Sequence, residues 1–295
     1  CSLPSKRYRK TRKTKRILQY IMNIGIIGQG FVGNAVYQKF KKYYEIRTFD
    51  LDSTKSNSTK EEVMNQDVVF VCLPTPMSKN GSCYLGIVEN VLKEINDSQT
   101  NKTVVVKSTI PPGSTAKWNK KFTNLNVAFN PEFLTERNAV KDYENQNRII
   151  LGGPRSATTL LKQVFSKVFP KAHIIKTDST HAEMVKYLTN TFLSVKVSFA
   201  NEIHQLCEGL GIDYDKVVEY ATYDNRLGDS HWSVPGHDGD FGFGGHCFPK
   251  DLSALLYLSK ELGTLSNVLQ ATQDTNNEVR QDRDWEKMKG RAVAE

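Results

Sequence analysis

Met22-Asn23-Ile24-Gly25-Ile26-Ile27-Gly28-Gln29-Gly30-Phe31-Val32-Gly33 is the stretch on which the fold turns. Asn23 to Ile27 is short and apolar, as a buried strand requires, and it runs straight into G-x-G-x-x-G at Gly28, Gly30 and Gly33. A helical pattern follows, with Ala35, Val36 and Phe40 at apolar positions. A second strand pattern, Glu45 to Phe49, ends in Asp50, roughly the twenty-residue offset of a ribose-binding carboxylate. In a strand–turn–helix of this kind Gly28 makes the turn and Gly30 admits a pyrophosphate. Gly33 lets the helix pack on the strand, and the first helical residues, Phe31 and Val32, present their N–H groups to the phosphates. The motif alone is weak; strand, helix and acid together make a dinucleotide site. Asp50 would repel a 2′-phosphate, so NAD is expected over NADP, with Lys55 softening that preference.

Working outward, strand and helix patterns alternate. Asp67 to Leu73, Thr103 to Lys107, Asn126 to Phe129, Arg148 to Leu151 and His173 to Ile175 read as strands, and Leu85 to Ile95 has helical spacing. That alternation predicts an α/β fold built on a Rossmann-type, doubly wound parallel sheet. Its ligands bind at the C-terminal ends of the strands, so the loops carrying Thr75, Thr109 and Glu132 are candidates for the reaction cleft. Ser53 to Thr59 reads as a surface loop.

After about Asp178 the strand patterns stop. Thr180 to Gly209 is one long helical pattern with apolar Met184, Leu188, Phe192, Val195 and Phe199. Asp213 caps a further helix, and Pro249 to Leu262 and Leu265 to Val279 follow. The expected organisation is therefore a basic extension over 1–21, a dinucleotide-binding domain over 22–178, an all-helical middle domain over 179–281 and a short charged tail over 282–295. Lys186 and Asn190 lie four apart and share a face of the long helix, either as a solvent-facing edge or as a functional pair. Lys196 reads as part of a charged surface face.

The 295 residues suit two domains with a substantial core. There is no apolar run of bilayer length and no signal-peptide core, so no membrane association is expected. Five scattered cysteines without metal spacing fit a reducing, cytoplasmic setting with no disulfide framework and no metal site. The net charge of +8 is local: residues 1–21 hold eight Lys or Arg and no acid, which leaves the remainder neutral. Such a segment can bind polyanions or act as an address, but it reads first as a solvated, disordered extension, and no nucleic-acid partner is expected for the folded body.

One further stretch bears on chemistry: Gly242-Phe243-Gly244-Gly245-His246-Cys247-Phe248-Pro249-Lys250-Asp251. A glycine-rich loop lets backbone approach a ligand, and Pro249 suits the first turn of a helix with Lys250 and Asp251 beside it. Cys247 is then either a nucleophile made competent by a nearby base or cation, or an inert buried thiol.

Together these motifs resemble the nucleotide-sugar 6-dehydrogenases, the UDP-glucose/GDP-mannose dehydrogenase family. The likeness runs from about Met22 to Asn277. It rests on the Gly28 fingerprint, Leu73-Pro74-Thr75-Pro76, Lys107-Ser108-Thr109-Ile110-Pro111, Asn130-Pro131-Glu132-Phe133-Leu134, Lys186 with Asn190, Arg226-Leu227-Gly228 and the Gly242 to Asp251 loop. The resemblance implies oxidation of a primary alcohol, C6 of UDP-glucose, to a carboxylate with two NAD. In that scheme Cys247 carries a thiohemiacetal and then a thioester. Glu132 is the general base for hydrolysis, Thr109 and Asp251 order the water, and Lys186 and Asn190 steady the oxyanion. Lys250, Thr75, Thr109 and Glu136 would touch the cofactor. Glu132, Phe133, Leu134, Lys186, Asn190, Arg226, Phe243 and Gly244 would touch the nucleotide sugar, Arg226 from a neighbouring subunit of a homodimer.

The sequence departs from the family pattern at His246, where a small residue is usual, and in the short connection from Asp52 to Glu61. It also stops at Glu295, which reads either as a compact form without the family's second, nucleotide-gripping domain or as a clipped sequence. The rival readings are a two-electron dehydrogenase of the 3-hydroxyacid or 6-phosphogluconate type, which needs no cysteine, and a non-catalytic NAD-binding protein.

Overall fold

The computed structural model describes residues 22–98 and 101–294. The basic stretch 1–21 lies outside the described residues. Seven strands form one sheet: β1 (Ile24–Ile27), β2 (Ile46–Phe49), β3 (Val68–Val71), β4 (Lys102–Val106), β5 (Leu125–Phe129), β6 (Arg148–Gly152) and β7 (His173–Thr177). Their order is β2-β1-β3-β4-β5-β6-β7. The first five run parallel, and β6 meets β5 antiparallel through Phe129 and Gly152 before pairing in parallel with β7. The sheet is thus mostly parallel rather than wholly so.

The connections are helices α1 (Phe31–Phe40), α2 (Lys60–Met64), α3 (Gly86–Ser98), α4 (Ser114–Lys121), α5 (Ala139–Asn145) and α6 (Arg155–Val168). They cover both faces, which is why β1, β3 and the β4 core are buried at every position rather than alternating. One face buries Phe40, Phe70, Tyr143 and Phe165, and the other buries Val71, Leu92, Ile110 and Trp118. The expected surface loop Ser53 to Thr59 contains a short 3-10 turn at Ser53–Lys55. Its end is the start of α2, where Thr59 and Glu62 form a reciprocal cap.

The second half is helical: α7 (Ser179–Leu210), α8 (Tyr214–Ala221), α9 (Phe248–Leu262) and α10 (Asn267–Val279). Asp178 caps α7 by accepting from His181 N at 3.1 Å, and Gly211, at φ +69°, ends it in the left-handed conformation that glycine adopts freely. Its two faces are inverted relative to an ordinary surface helix. Ser179, Glu183, Lys186, Asn190, Ser194 and Asn201 are buried, whereas Met184, Leu188, Phe192, Phe199 and Leu206 are exposed. Lys196, expected on a charged surface, is buried, with Nζ over the Trp232 ring and donating to Leu227 O at 3.0 Å.

The segment after α10 folds back over the molecule. Trp285 and Ala292 are buried, and Met77 exchanges backbone hydrogen bonds with Ala292 and Ala294.

The three fingerprint glycines separate cleanly. A Cβ on Gly33 would lie 1.8 Å from Gly28 O, and one on Gly28, at φ +92°, would lie 2.4 Å from Cys72 O. A Cβ on Gly30 would meet nothing within 4 Å. Gly33→Ala is therefore expected to cost about 2 kcal/mol or more by overpacking. Gly30→Ala should change stability by under about 1 kcal/mol, yet weaken dinucleotide binding by about tenfold or more because its methyl enters ligand space. Chemical denaturation and calorimetric titration of both variants check this; equal stability losses would contradict it.

Candidate active site

Each parallel strand delivers its following loop to the same edge of the sheet. Gly28 follows β1, Asp50 follows β2, Thr75 follows β3, Lys107 to Thr109 follow β4 and Glu132 follows β5. The chain reverses direction across the sheet between β1 and β3, the crevice where open α/β sheets bind ligands. There a cleft of about 1210 Å³ opens. Gln29, Gly30, Phe31, Val32, Asp50, Lys55, Thr75, Lys107, Thr109, Glu132, His246, Cys247, Lys250 and Arg291 all line it.

The residues present fit a dinucleotide. The N-terminus of α1 has no side-chain cap, so its first N–H groups are free for phosphate oxygens. Asp50 is held in place because Gln29 N donates to Oδ2 at 2.6 Å and Asp52 N donates to Oδ1 at 2.9 Å. Each carboxylate oxygen keeps a lone pair for a ribose hydroxyl. Lys55 sits beside it, paired with Asp52 at 3.1 Å.

The helical half supplies the other wall. Asn201 Oδ1 accepts from Gly242 N at 3.1 Å, and the Asn276 amide accepts from Phe243 N at 2.7 Å and donates to Phe243 O at 3.0 Å. This pins the glycine loop and places Cys247 at the start of α9, where Pro249 fills the first turn. Behind the thiol lies a buried polar cluster. Lys186 Nζ donates to Glu132 Oε1 at 2.8 Å, Asn190 Nδ2 donates to Asp251 Oδ2 at 2.6 Å, and Lys250 is ion-paired with the other Asp251 oxygen. Leu134 N donates to Glu132 Oε2 at 2.8 Å.

Charge states follow from these contacts. Burial pushes Glu132 upward, but the Lys186 ammonium and the Leu134 N–H outweigh it and hold the carboxyl below its ordinary range. Burial disfavours charge on Lys186 and Lys250 too, and their carboxylate partners overcome it and raise both. Cys247 goes the other way: burial and then the Glu132 charge push it up to about 12, against the opposing pull of Lys250 and Lys186. The resting nucleophile candidate is a neutral thiol, so its proton must leave as it reacts.

Not every expected residue meets the cleft. Gly33 packs α1 on β1. Lys186, Asn190 and Asp251 form the layer behind the cleft wall, and both Asp251 oxygens are already engaged. Phe133 lies under the Arg148 guanidinium at 4.4 Å, and Leu134 is partly buried beside it. Glu136 faces His246 and Arg291 rather than the cleft, at 3.3 and 2.9 Å. Arg226 is at the surface, paired with Asp224. Phe243 lines a second cavity of about 490 Å³ with Asn276, Arg283 and Trp285. Gly244 packs against Arg280 and Asp284, where a Cβ would approach within 2.4 Å.

Besides His246 and Arg291 on the cleft wall, the sequence reading missed Lys107 and Asn130. Lys107 is buried and donates to Asn130 Oδ1 at 2.7 Å, and Asn130 Nδ2 donates to Ile150 O at 2.8 Å. This pair ties the ends of β4 and β5 together under Glu132. A lysine ending an apolar strand was the available signal.

Comparisons with known proteins agree with this geometry. The NAD binding domain of the UDP-glucose/GDP-mannose dehydrogenase family matches residues 37–172, and that family's central domain matches 180–278. The chain belongs to this family. The cofactor of its first domain is accordingly NAD. The UDP-glucose 6-dehydrogenase TuaD of Bacillus subtilis is 33% identical over 244 residues, covering 80% of this chain and 52% of that protein. The GDP-mannose 6-dehydrogenase of Pseudomonas aeruginosa is 35% identical over 219 residues, covering 69% and 49%. The structure of a UDP-glucose dehydrogenase from Pyrobaculum islandicum superimposes with a TM-score of 0.77 at 27% identity, over 88% of this chain and 68% of that one. The chain thus spans about half the length of these two curated relatives.

Lys107 gives this site a measurable signature. Burial lowers its pKa from an ordinary 10.5 to about 8, only partly opposed by Cys72 and Glu132. Between those values the unfolded chain binds more protons than the folded one, so stability rises with pH across that window. The expected gain is at most about 1.4 kcal/mol per pH unit, and Lys107→Met should remove it. Denaturation of both proteins at pH 8 and pH 10 checks this; equal slopes would contradict it.

Proposed function

We propose that this chain forms the NAD-binding and catalytic body of an enzyme that oxidises the C6 alcohol of a nucleotide sugar to a carboxylate. The observation that carries the reading is one cleft lined both by the Gly28–Val32 loop with Asp50 and by Cys247 with Glu132. A dehydrogenase that stops at a carbonyl needs no nucleophile there; one that proceeds to an acid without releasing the aldehyde does.

NAD held by the Gly28–Val32 loop and Asp50 would supply the hydride acceptor for each of two oxidations, the first of which also releases the hydroxyl proton of the alcohol to solvent. Between them Cys247 Sγ bonds to the aldehyde carbon and gives up its proton, and the carbonyl oxygen becomes the thiohemiacetal hydroxyl. Loss of the second hydride and of that hydroxyl proton leaves a thioester on Cys247. Water attached with help from Glu132 then breaks the C–S bond, and the thiol regains its proton. Lys186, the cation nearest Glu132, serves the oxyanion in this scheme, with Asn190 on the same helix face. Thr109 completes the water site from the β4 loop. Lys250 and Thr75 contribute to the cofactor wall. Asp251 is better suited to holding Asn190 and Lys250 than to touching water directly, since it lies behind the cleft wall that Glu132 lines.

The nucleotide sugar itself is proposed as a class, with UDP-glucose as its first member. Relatives named for UDP-glucose and for GDP-mannose lie at similar identity. The deciding assay supplies a panel of nucleotide sugars and counts NADH. Two NADH per sugar consumed is expected. One per sugar, with aldehyde released, would replace this reading with the two-electron one, and none with any sugar would leave NAD binding alone. With Glu132→Gln, intact-mass analysis should find an acyl adduct on Cys247 that the wild type turns over; rapid turnover without an adduct contradicts the role of Glu132.

The oligomer is proposed to be a homodimer. Met184, Leu188, Phe192, Phe199 and Leu206 leave an apolar stripe exposed along α7, and Leu188 and Phe192 are each 59% exposed. Covering each such side chain is worth about 1.5–3 kcal/mol. A second copy presents the same stripe, and Arg226 at the surface is then free to reach that copy's substrate. Light scattering should give a dimer for the wild type and a monomer for Phe192→Glu; a monomeric wild type rejects the proposal.

A further inference from the structure

Among the described residues, two of the buried side-chain polar atoms without a hydrogen-bond partner belong to residues lining the cofactor cleft: Gln29 Nε2 and His246 Nε2. An unpartnered buried polar atom is costly and is usually matched by something bound. His246 is the more informative, because everything else about its ring is fixed. The ring stands edge-on to Phe31, the first residue of α1, with centroids 5.2 Å apart. Nδ1 lies 3.3 Å from Glu136 Oε2, and Glu136 Oε1 accepts from Arg291 Nη2 at 2.9 Å. A carboxylate on Nδ1 sets the tautomer: Nδ1 carries the proton and Nε2 the lone pair. Nε2 is therefore a buried hydrogen-bond acceptor on a residue of the cleft wall.

We infer that His246 is a further contact to bound NAD, with Nε2 accepting a hydrogen bond from a donor on the nicotinamide half. That half is favoured because His246 precedes Cys247, whereas Asp50 marks the adenosine end at β2. The ribose hydroxyls and the carboxamide N–H are the donors that half offers. The charge state agrees: burial lowers the imidazole pKa below 6.5, Glu136 and Glu132 oppose this, and Arg291 and Lys250 add to it. The ring is neutral at pH 7.5 and able to accept. Glu136 thus meets the cofactor through His246 rather than directly. The inference rests on the NAD-binding reading of the cleft.

NAD affinity measured by calorimetry tests it without turnover. His246→Phe keeps a ring against Phe31 but loses the acceptor, and should bind NAD about tenfold more weakly at pH 7.5. His246→Gln restores an acceptor at a similar reach and should stay within about threefold of wild type. Protonating His246 removes the lone pair, so wild-type affinity should be full at pH 7.5 and fall as the pH drops through the lowered imidazole pKa. In His246→Gln that acid limb should be absent. Affinity that rises as the pH falls would mean a charged imidazole donating to phosphate, and would overturn the inference. So would His246→Phe binding NAD as the wild type does. A wild-type chain that binds no NAD would defeat the cofactor reading and this inference with it. Should His246→Phe not fold, the His246→Gln pH profile decides, together with an NMR titration in which NAD is expected to lower the His246 pKa further. An unchanged pKa rejects the contact.

Discussion

Lys186 and Glu132 meet at 2.8 Å where the long helix crosses the edge of the sheet, and both are almost fully buried. Everything about the site depends on that pair. One partner comes from β5 and the other from α7, so the ion pair joins the two halves of the molecule. Burying two charges is unfavourable unless each is fully hydrogen-bonded, and removing one partner of such a pair typically costs about 3–5 kcal/mol. The structure satisfies that condition on the carboxylate side with Leu134 N. A few residues earlier on α7, Glu183 accepts from Gly113 N at 2.6 Å and Thr115 N at 2.8 Å, capping α4 from outside. The helix is thereby docked on the sheet through polar groups. This explains why its polar face is the buried one and its apolar face is left exposed.

The same arrangement governs the chemistry. Three ammonium groups, from Lys107, Lys186 and Lys250, stand against the carboxylates of Glu132 and Asp251, all of them buried. A thiol placed among them is pulled both ways, and desolvation decides: Cys247 rests protonated. A reactive thiolate in a cleft open to small electrophiles is vulnerable to oxidation, whereas a neutral thiol is far less so. The cluster thus stores its positive charge in lysines fixed by partners and leaves the Cys247 thiol uncharged.

Much of the fold was legible because its signals are local. The Gly28–Gly33 turn, the Val and Ile strands and the Pro249 and Gly211 helix boundaries each follow from neighbours in sequence. So did the gathering of Thr75, Thr109 and Glu132, since parallel strands deliver their loops to one edge. What was not legible depends on packing across long separations. The antiparallel entry of β6 rests on a single residue pair, Phe129 with Gly152. The burial of Lys196 depends on Trp232, and that of Lys107 on Asn130 and Tyr143. Glu136 looked like a cofactor contact because its position in the motif is visible. Its pairing with His246 and Arg291 joins residues more than a hundred positions apart, and no periodicity encodes that.

The loop that carries Cys247 completes the argument. Four of its residues before His246 are glycine or phenylalanine, a composition that suggests mobility, yet the backbone is held from three directions. Asn201 on α7, Asn276 on α10 and Asp284 beyond α10 each accept from a loop N–H. A Cβ on Gly242 would lie 2.3 Å from Asn276 Oδ1, and Gly242 is at φ +66°. The glycines are there to let two asparagines and a carboxylate reach backbone, not to let the loop move. Cys247 is consequently positioned by the helical half, while its charge environment is shared, with Glu132 from the sheet half and Lys250, Asp251 and Lys186 from the helical half. Neither half forms the proposed site by itself, and the seam between them, closed by Lys186 and Glu132, is where the placement of the Cys247 thiol and its charged surroundings coincide.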